Sequence, residues 1–346
     1  MIGRVLSTAS GGIEVVRPGM LSTLQDLGRF GQQQLGIVPG GAMDTVAHRL
    51  ANALVGNDLH EATLEVTMLG PELLFHQETL IALSGARFDA LLDGQPLALD
   101  RPVLVPEGSR LKMRQALAGA RAYLAVAGGF PVAPVLGSRS TYLPAGFGGW
   151  NGRALVAGDS LDLHTEVRAI SLARFEKLDA RGAERSVRWS APSMTLPVRH
   201  EIIVRALLGM HFAWFTDQAQ SEVFEASWRV LADSNRIGFR LTGPELEREK
   251  TGDIISGPTC LGTVQVPAGG LPIVLMADHQ TTGGYAKILE VVSADSANLA
   301  QLAPGGSLRF KRCSLEEALL RRRRAKADLM TKITAIQAKY GQLTIQ

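Results

Sequence analysis

Asp26-Leu27-Gly28-Arg29-Phe30-Gly31 is echoed by Asp233-Ser234-Asn235-Arg236-Ile237-Gly238, and each copy is followed by the same tetrapeptide, at Gly70-Pro71-Glu72-Leu73 and at Gly243-Pro244-Glu245-Leu246. Two D-x-x-R-x-G…G-P-E-L units in the same order imply a duplicated domain. Segments such as Leu73-Leu74-Phe75, Thr79 to Leu83, Ala122 to Val126, Glu201 to Arg205 and Pro272 to Met276 are short, apolar or alternating, and separated by Gly, Pro and Asp turns. That spacing predicts barrels or sandwiches, not a doubly wound sheet. The fold expected is therefore mainly β, with an N-terminal unit over 1–180, a second over 195–312 and a helical tail over 313–346. The boundary falls in Ser171 to Thr195, which is charged and weakly patterned.

Helical signals are few. One helix runs from a cap at Asp44 through Val46, Ala47, Leu50, Ala51 and Leu54 and stops at Gly56-Asn57, as an insertion in the first copy of the repeat. The tail opens on a capping box, Ser314-Leu315-Glu316-Glu317, and should stay helical to about Tyr340. Its Arg321 to Arg324 run reads either as a patch for an acidic partner or nucleic acid or, more simply, as a solvated helix face.

Composition narrows the class. At 346 residues, with 46% hydrophobic and 20% charged residues, the chain has enough apolar mass for two ordinary domains of about 100–200 residues. The net charge of +3 is smaller than the four charges of Arg321 to Arg324, so a nucleic-acid partner is not expected. Cys260 and Cys313 are too few for a disulfide framework or a metal cluster, and no metal is expected. Met1 to Gly12 lacks an apolar leader core, and no apolar run approaches the ~18 residues of a membrane span. The expected location is cytoplasmic.

Asp278-His279-Gln280-Thr281-Thr282-Gly283-Gly284-Tyr285 concentrates polar groups where the apolar run Leu271 to Ala277 emerges. Paired glycines allow close backbone approach, and the hydroxyls, amide, carboxylate and phenol offer hydrogen bonds in both directions to a small polar ligand. A strand followed by a capped glycine turn gives the same pattern. No G-x-x-x-x-G-K-[ST] loop, G-x-S-x-G elbow or H-E-x-x-H helix occurs.

Several motifs agree in order with a known family. Leu24 to Arg29, Gly40-Gly41-Ala42-Met43-Asp44, Ala51 to Asn57, Leu64 to Thr67, Ala125 to Gly129, Leu136 to Thr141, Gly262 to Pro267 and Asp278 to Tyr285 together resemble the biotin-dependent carboxyltransferases, which include the C subunit of 5-oxoprolinase and allophanate hydrolase subunit 2. The resemblance covers about Ile13 to Phe310 and implies two tandem cyclophilin-like β-barrels with a few helices and a C-terminal helix. It also implies a component of an ATP-dependent 5-oxoprolinase, inactive alone, that opens the lactam of 5-oxoproline to glutamate with subunits A and B. The alternatives are a urea-type carboxyltransferase subunit, whose biotin another protein carries because the chain has only Leu111-Lys112-Met113 near a carrier motif, and a non-catalytic antagonist of a histidine-kinase inhibitor.

Activating an amide that carries a carboxylate needs a cationic clamp and hydrogen bonds to the oxygen that gains charge. Arg29 and Arg139 are the candidate clamps, with Arg139 equally able to tie its own loop. Asp278, Gln280 and Lys287 are the catalytic candidates, although Lys287 also suits a plain surface strand. Gln25, Asp26, Met43, Asp44, Gln265, Thr281, Thr282, Gly283, Gly284 and Tyr285 complete the expected substrate site, and Asp44 has its helix-capping role besides. Three positions depart from the family pattern: His279 stands for Arg, Gly257 for Glu in Ser-Glu-Gly, and Ala286 for Pro. The first makes a permanent cation conditional on pH.

Overall fold

A computed structural model describes residues 12–164, 166–178, 185–192, 201–250, 252 and 254–341. Nine strands form the first sheet: β1 (Ile13–Arg17), β2 (Leu21–Gln25), β3 (Thr63–Thr67), β4 (Glu72–Phe75), β5 (Thr79–Leu92), β6 (Gln95–Pro96), β7 (Val103–Val105), β8 (Arg110–Val126) and β9 (Ser160–Leu161). Their order is β2-β3-β8-β4-β1-β9, with β5 laid along β8 and carrying β6 and β7. The 14 residues of β5 and 17 of β8 pair through three register shifts between Gly85 and Ala90. Such bulges bend a long strand so that it serves two parts of a curved sheet.

The second sheet is a closed barrel. β10 (Glu201–Leu208), β11 (Trp228–Val230), β12 (Gly238–Thr242), β14 (Thr263–Val266), β15 (Ile273–Leu275), β17 (Ala286–Val291) and β18 (Ser307–Arg312) close in the order β10-β17-β14-β15-β12-β11-β18. A two-stranded ribbon of β13 (Gly257–Pro258) and β16 (Thr282–Gly283) caps one end. Trp228, Phe239, Leu241, Val264 and Phe310 fill the barrel, while Ile13, Leu24, Phe75, Leu83 and Leu124 fill the first unit. The mainly β expectation holds.

Both copies of the repeat occupy the same place in their sheets. Asp26 to Gly31 lies between β2 and β3, and Asp233 to Gly238 runs from β11 into β12; each strand pair is antiparallel. In each copy Gly-Pro-Glu-Leu follows the second strand, and the terminal Leu73 and Leu246 are buried. The copies differ in two ways: α1 (Thr45–Leu54) lengthens the first connection, and buried Asp26 corresponds to a solvent-facing Asp233 paired with Arg240.

α1 begins as expected, with Asp44 Oδ1 accepting from Val46 and Ala47 N at 3.1 and 3.0 Å. On its apolar face Leu50 and Leu54 are fully buried and Val46 partly so, each leucine contributing about 2 kcal/mol. α2 (Val167–Glu176) falls within the expected boundary, of which 179–184 and 193–195 lie outside the described residues. α3 (Asp217–Glu225) and α4 (Ser296–Ala300) belong to the barrel half.

α5 (Leu315–Lys339) starts where Ser314 Oγ accepts from Glu317 N at 3.1 Å. It packs back on α1 through Ile333, Ile336 and Tyr340, and Tyr340 Oη donates to Leu54 O. Arg322 to Arg324 face solvent, and Arg321 pairs with Glu317 one turn back. No described helix is long and apolar enough to cross a membrane.

Candidate functional site

β12 and β15 are antiparallel with Gly238 opposite Leu275, so the residues just beyond that pair, Arg236 and Asp278, meet at one end of the barrel. Arg236 grips Asp278 with two hydrogen bonds, Nε to Oδ2 at 2.9 Å and Nη2 to Oδ1 at 3.0 Å. Nη1 donates to Glu65 Oε1 on β3, and Nη2 also donates to Gly41 O at 2.6 Å. All three charged groups are buried, so the pairing must repay three desolvations. Burial alone would raise the Glu65 carboxyl, but the charges of Arg236 and Arg121 and the donors Met43 N and Tyr123 Oη hold it below the usual range.

This cluster joins the two halves. Tyr123 Oη donates to Glu65 Oε2 at 2.8 Å and accepts from Asp44 N at 2.7 Å. Asp44 Oδ2 accepts from Gln301 Nε2 at 2.8 Å, and Gln301 Oε1 accepts from the backbone of Ala120 and Arg121. Met43 is buried in the apolar cluster of the barrel although it precedes α1 of the first unit. Asp44 and Met43, nominated as substrate contacts, are thus engaged as a helix cap with an interdomain bond and as an apolar plug. Burial keeps the Asp44 carboxyl above its ordinary pKa.

Asp26 is occupied in the same manner. Its carboxylate accepts from Ser138 Oγ, Ser140 Oγ and Arg139 N, each at 2.6 Å, and from Gly28 N at 2.8 Å. Burial raises its pKa, but these four donors outweigh it and the net shift is downward. The bonds pin the loop 138–140 beside the first D-x-x-R-x-G. The Arg139 side chain then turns to Val132 O (3.1 Å) and toward Glu61 (3.9 Å), the loop-tying arrangement. Gln25 is buried, with Nε2 on Thr23 Oγ1 and Thr141 O and Oε1 without a partner.

Arg29 differs from all of these. It is 1% exposed, yet Nε and Nη1 have no hydrogen-bond partner, and among the described residues no carboxylate lies within ion-pair distance. Nη2 donates to Ser140 O at 2.5 Å, and the guanidinium stacks 4.8 Å from the Phe147 ring centre. Burial lowers its pKa, against the charges of Asp26 and Asp278. Gly40, at φ +62°, leaves open the place beside these groups: a Cβ there would stand 3.3 Å from Arg29 Nη1 and 3.5 Å from Asp278 Oδ1. A buried cation with unmet donors, facing a small open place next to a fixed carboxylate, is suited to an anionic group of a ligand.

From Asp278 the polar track continues along the nominated stretch. His279 is buried, its Nδ1 2.8 Å from Gln280 O, and burial lowers its pKa, so it is neutral at pH 7. Gln280 Nε2 donates to Gln265 Oε1 at 3.4 Å, leaving the buried Gln265 Nε2 unpartnered. Lys287, opposite Gln265 in the β14/β17 ladder, is buried and donates to Pro258 O at 2.7 Å. Thr282 and Tyr285 are exposed, Thr281 O accepts from Thr259 N, Gly283 pairs with Gly257 in the ribbon, and Gly284 follows it. A separate cavity of about 880 Å³, lined by Leu97, Val103, Arg101, Arg185 and Arg188, contains none of the nominated residues.

Sequence reading missed Tyr123, Arg121 and Gln301, quoted Glu65 and Ser140 only within family motifs without a site role, and treated Arg236 only as a repeat marker. Beyond those motifs the signal was a glutamate in the otherwise uncharged strand Thr63–Thr67, all five positions of which are buried.

Residues 35–312 match the carboxyltransferase domain, subdomain A and B. The chain is 38% identical over 307 residues to the C subunit of 5-oxoprolinase from Escherichia coli (strain K12), covering 89% of this chain and 93% of that one. It is 36% identical to the C subunit of 5-oxoprolinase from Haemophilus influenzae over 90% of this chain and 94% of that one. The solved K. lactis urea amidolyase superposes with a TM-score of 0.83 at 30% identity over 93% of this chain, which spans only 20% of that much longer protein.

Proposed function

We propose that this chain, which belongs to the carboxyltransferase family with subdomains A and B, is the C subunit of an ATP-dependent 5-oxoprolinase and acts with subunits A and B. Near-full-length similarity to two proteins of that name supports the reading. Its carrying observation is Arg29, a buried guanidinium with two unpartnered nitrogens. 5-Oxoproline brings a carboxylate that balances this charge. With the carboxylate on Arg29, the lactam extends along Asp278 toward the amides of Gln280 and Gln265, which donate to the carbonyl oxygen as it gains negative charge.

Asp278 has both oxygens engaged by Arg236 and works as a fixed, orienting carboxylate. ATP serves through the complex, since the chain has no phosphate loop, and biotin, where used, arrives on another protein. The chain should therefore be inactive alone. The test is reconstitution: with subunits A and B, ATP and 5-oxoproline, glutamate should form only when this chain is included, and ATP hydrolysis by the isolated chain would defeat the assignment.

A further inference from the structure

The cavity of about 880 Å³ bounded by β6, β7 and the strip 185–188 shares no residue with the site described above. Its floor is apolar, with Leu97, Val103 and Val187 buried there, and among the described residues no aromatic ring lines it. Its rim is cationic. Arg101, Arg185 and Arg188 stand on it, and among the described residues none of them has a carboxylate within ion-pair distance. Arg101 Nη1 donates to a neutral acceptor, Val187 O, at 3.1 Å, while Nε is buried without a partner. The acids nearby are engaged elsewhere: Asp93 Oδ1 accepts from Arg110 N at 2.8 Å, and Asp100 Oδ1 from Ser84 Oγ at 2.7 Å. The rim is also held in place without a ligand, since Leu104 N donates to Arg185 O at 2.8 Å and Ser186 Oγ to Pro102 O at 3.0 Å, which fixes the strip against β7.

An apolar floor by itself suits any oily group, and three rim arginines by themselves suit any anion. The two together select a molecule that carries both features, because its body covers apolar surface that water otherwise wets and its head supplies the negative charge that the protein does not. The volume is that of a small-molecule site. Without an aromatic ring on which a flat base or ring could stack, the body that fits is aliphatic.

We infer that this cavity binds an aliphatic organic anion, with its chain on Leu97, Val103 and Val187 and its carboxylate or phosphate head among Arg101, Arg185 and Arg188. None of these residues enters the function proposed above, so the binding is independent of it.

The test is calorimetric titration of the full chain with decanoate, decyl phosphate, octanoate and neutral 1-decanol, all below their micellar or solubility limits. One-to-one binding of decanoate or decyl phosphate is expected, and the tighter of the two identifies the head. Octanoate should bind about tenfold more weakly than decanoate, because two methylenes no longer leave water. 1-Decanol should bind at least about tenfold more weakly than the anions, because it brings no charge to the rim. The double variant Arg185→Gln with Arg188→Gln changes two exposed positions, so it should keep the wild-type melting temperature while anion binding weakens at least about tenfold. Absence of saturable anion binding to the wild-type chain, equal affinity for 1-decanol, affinity independent of chain length, or unchanged anion binding by the folded double variant overturns the inference. No turnover is measured, so a complex inactive on 5-oxoproline would leave the result standing.

Discussion

Arg29→Met separates a ligand-binding arginine from a structural one. The substitution removes the charge-assisted bond to Ser140 O, worth about 1.5–3 kcal/mol, and a desolvated stack on Phe147 worth up to about 2 kcal/mol. It also removes the unmet protons on Nε and Nη1, each of which costs about 1–3 kcal/mol while buried without an acceptor. The opposing contributions are of similar size, so the variant should lose no more than about 2 kcal/mol, or gain stability. Turnover should respond very differently. A substrate carboxylate left in that place without a cation costs about 2–5 kcal/mol, and a loss of about 2.7 kcal/mol already lowers kcat/KM about 100-fold. Urea denaturation of the isolated chain gives the first quantity, and glutamate formation by the reconstituted complex gives the second. Destabilisation beyond about 3 kcal/mol with kcat/KM within about threefold of wild type would show that Arg29 merely ties Ser140.

Three further outcomes follow from the buried groups. Arg236→Met should destabilise the chain by about 3–5 kcal/mol, since it strands the Glu65 and Asp278 carboxylates, and a denaturation midpoint within error of wild type would contradict the interdomain cluster. Gln280→Ala, at an exposed position with one long hydrogen bond, should keep the wild-type melting temperature while turnover of the complex falls at least about tenfold. His48, wholly buried between Thr63 and Asn52, has its pKa lowered by burial to about 4 from 6.5. The unfolded chain takes up this proton first, so the stability is complete above about pH 6.5 and declines as pH falls toward 4, by about 2 kcal/mol at pH 5. Denaturation at pH 7 and 5 should show that decline in wild type and a smaller one in His48→Gln; equal slopes would refute it.

The legible parts of the fold are those whose cause is local. Asp44 and Ser314 cap helices because a short oxygen-bearing side chain satisfies free N–H groups two and three residues ahead, which linear spacing reveals. The D-x-x-R-x-G repeat is readable because duplication preserves order, and both copies lie between antiparallel partners. The 17 residues of β8 are not readable as one strand, because the bulges opposite Gly85 to Ala90 interrupt alternation.

The site divides in the same way. Asp278 to Tyr285 stands out as a polar cluster after an apolar run, and Arg29 by its place in the motif. The partners that give each group its character are distant in sequence: Glu65 and Arg236 are 171 residues apart, and Asp44 and Gln301 are 257 apart. Linear spacing therefore could not show that Asp26 and Asp44 are saturated within the protein while Arg29 is not. Gly257 is visible in the sequence only as a missing carboxylate; its proximity to Lys287 gives that departure a physical meaning.

Carboxylate recognition by Arg29 is put to the test by ATP-dependent turnover of one reconstituted preparation offered 5-oxoproline or urea, with wild-type chain and with Arg29→Met. It predicts that wild type consumes 5-oxoproline and ignores urea, and that Arg29→Met loses the 5-oxoproline activity. Urea-dependent turnover that survives Arg29→Met would contradict it.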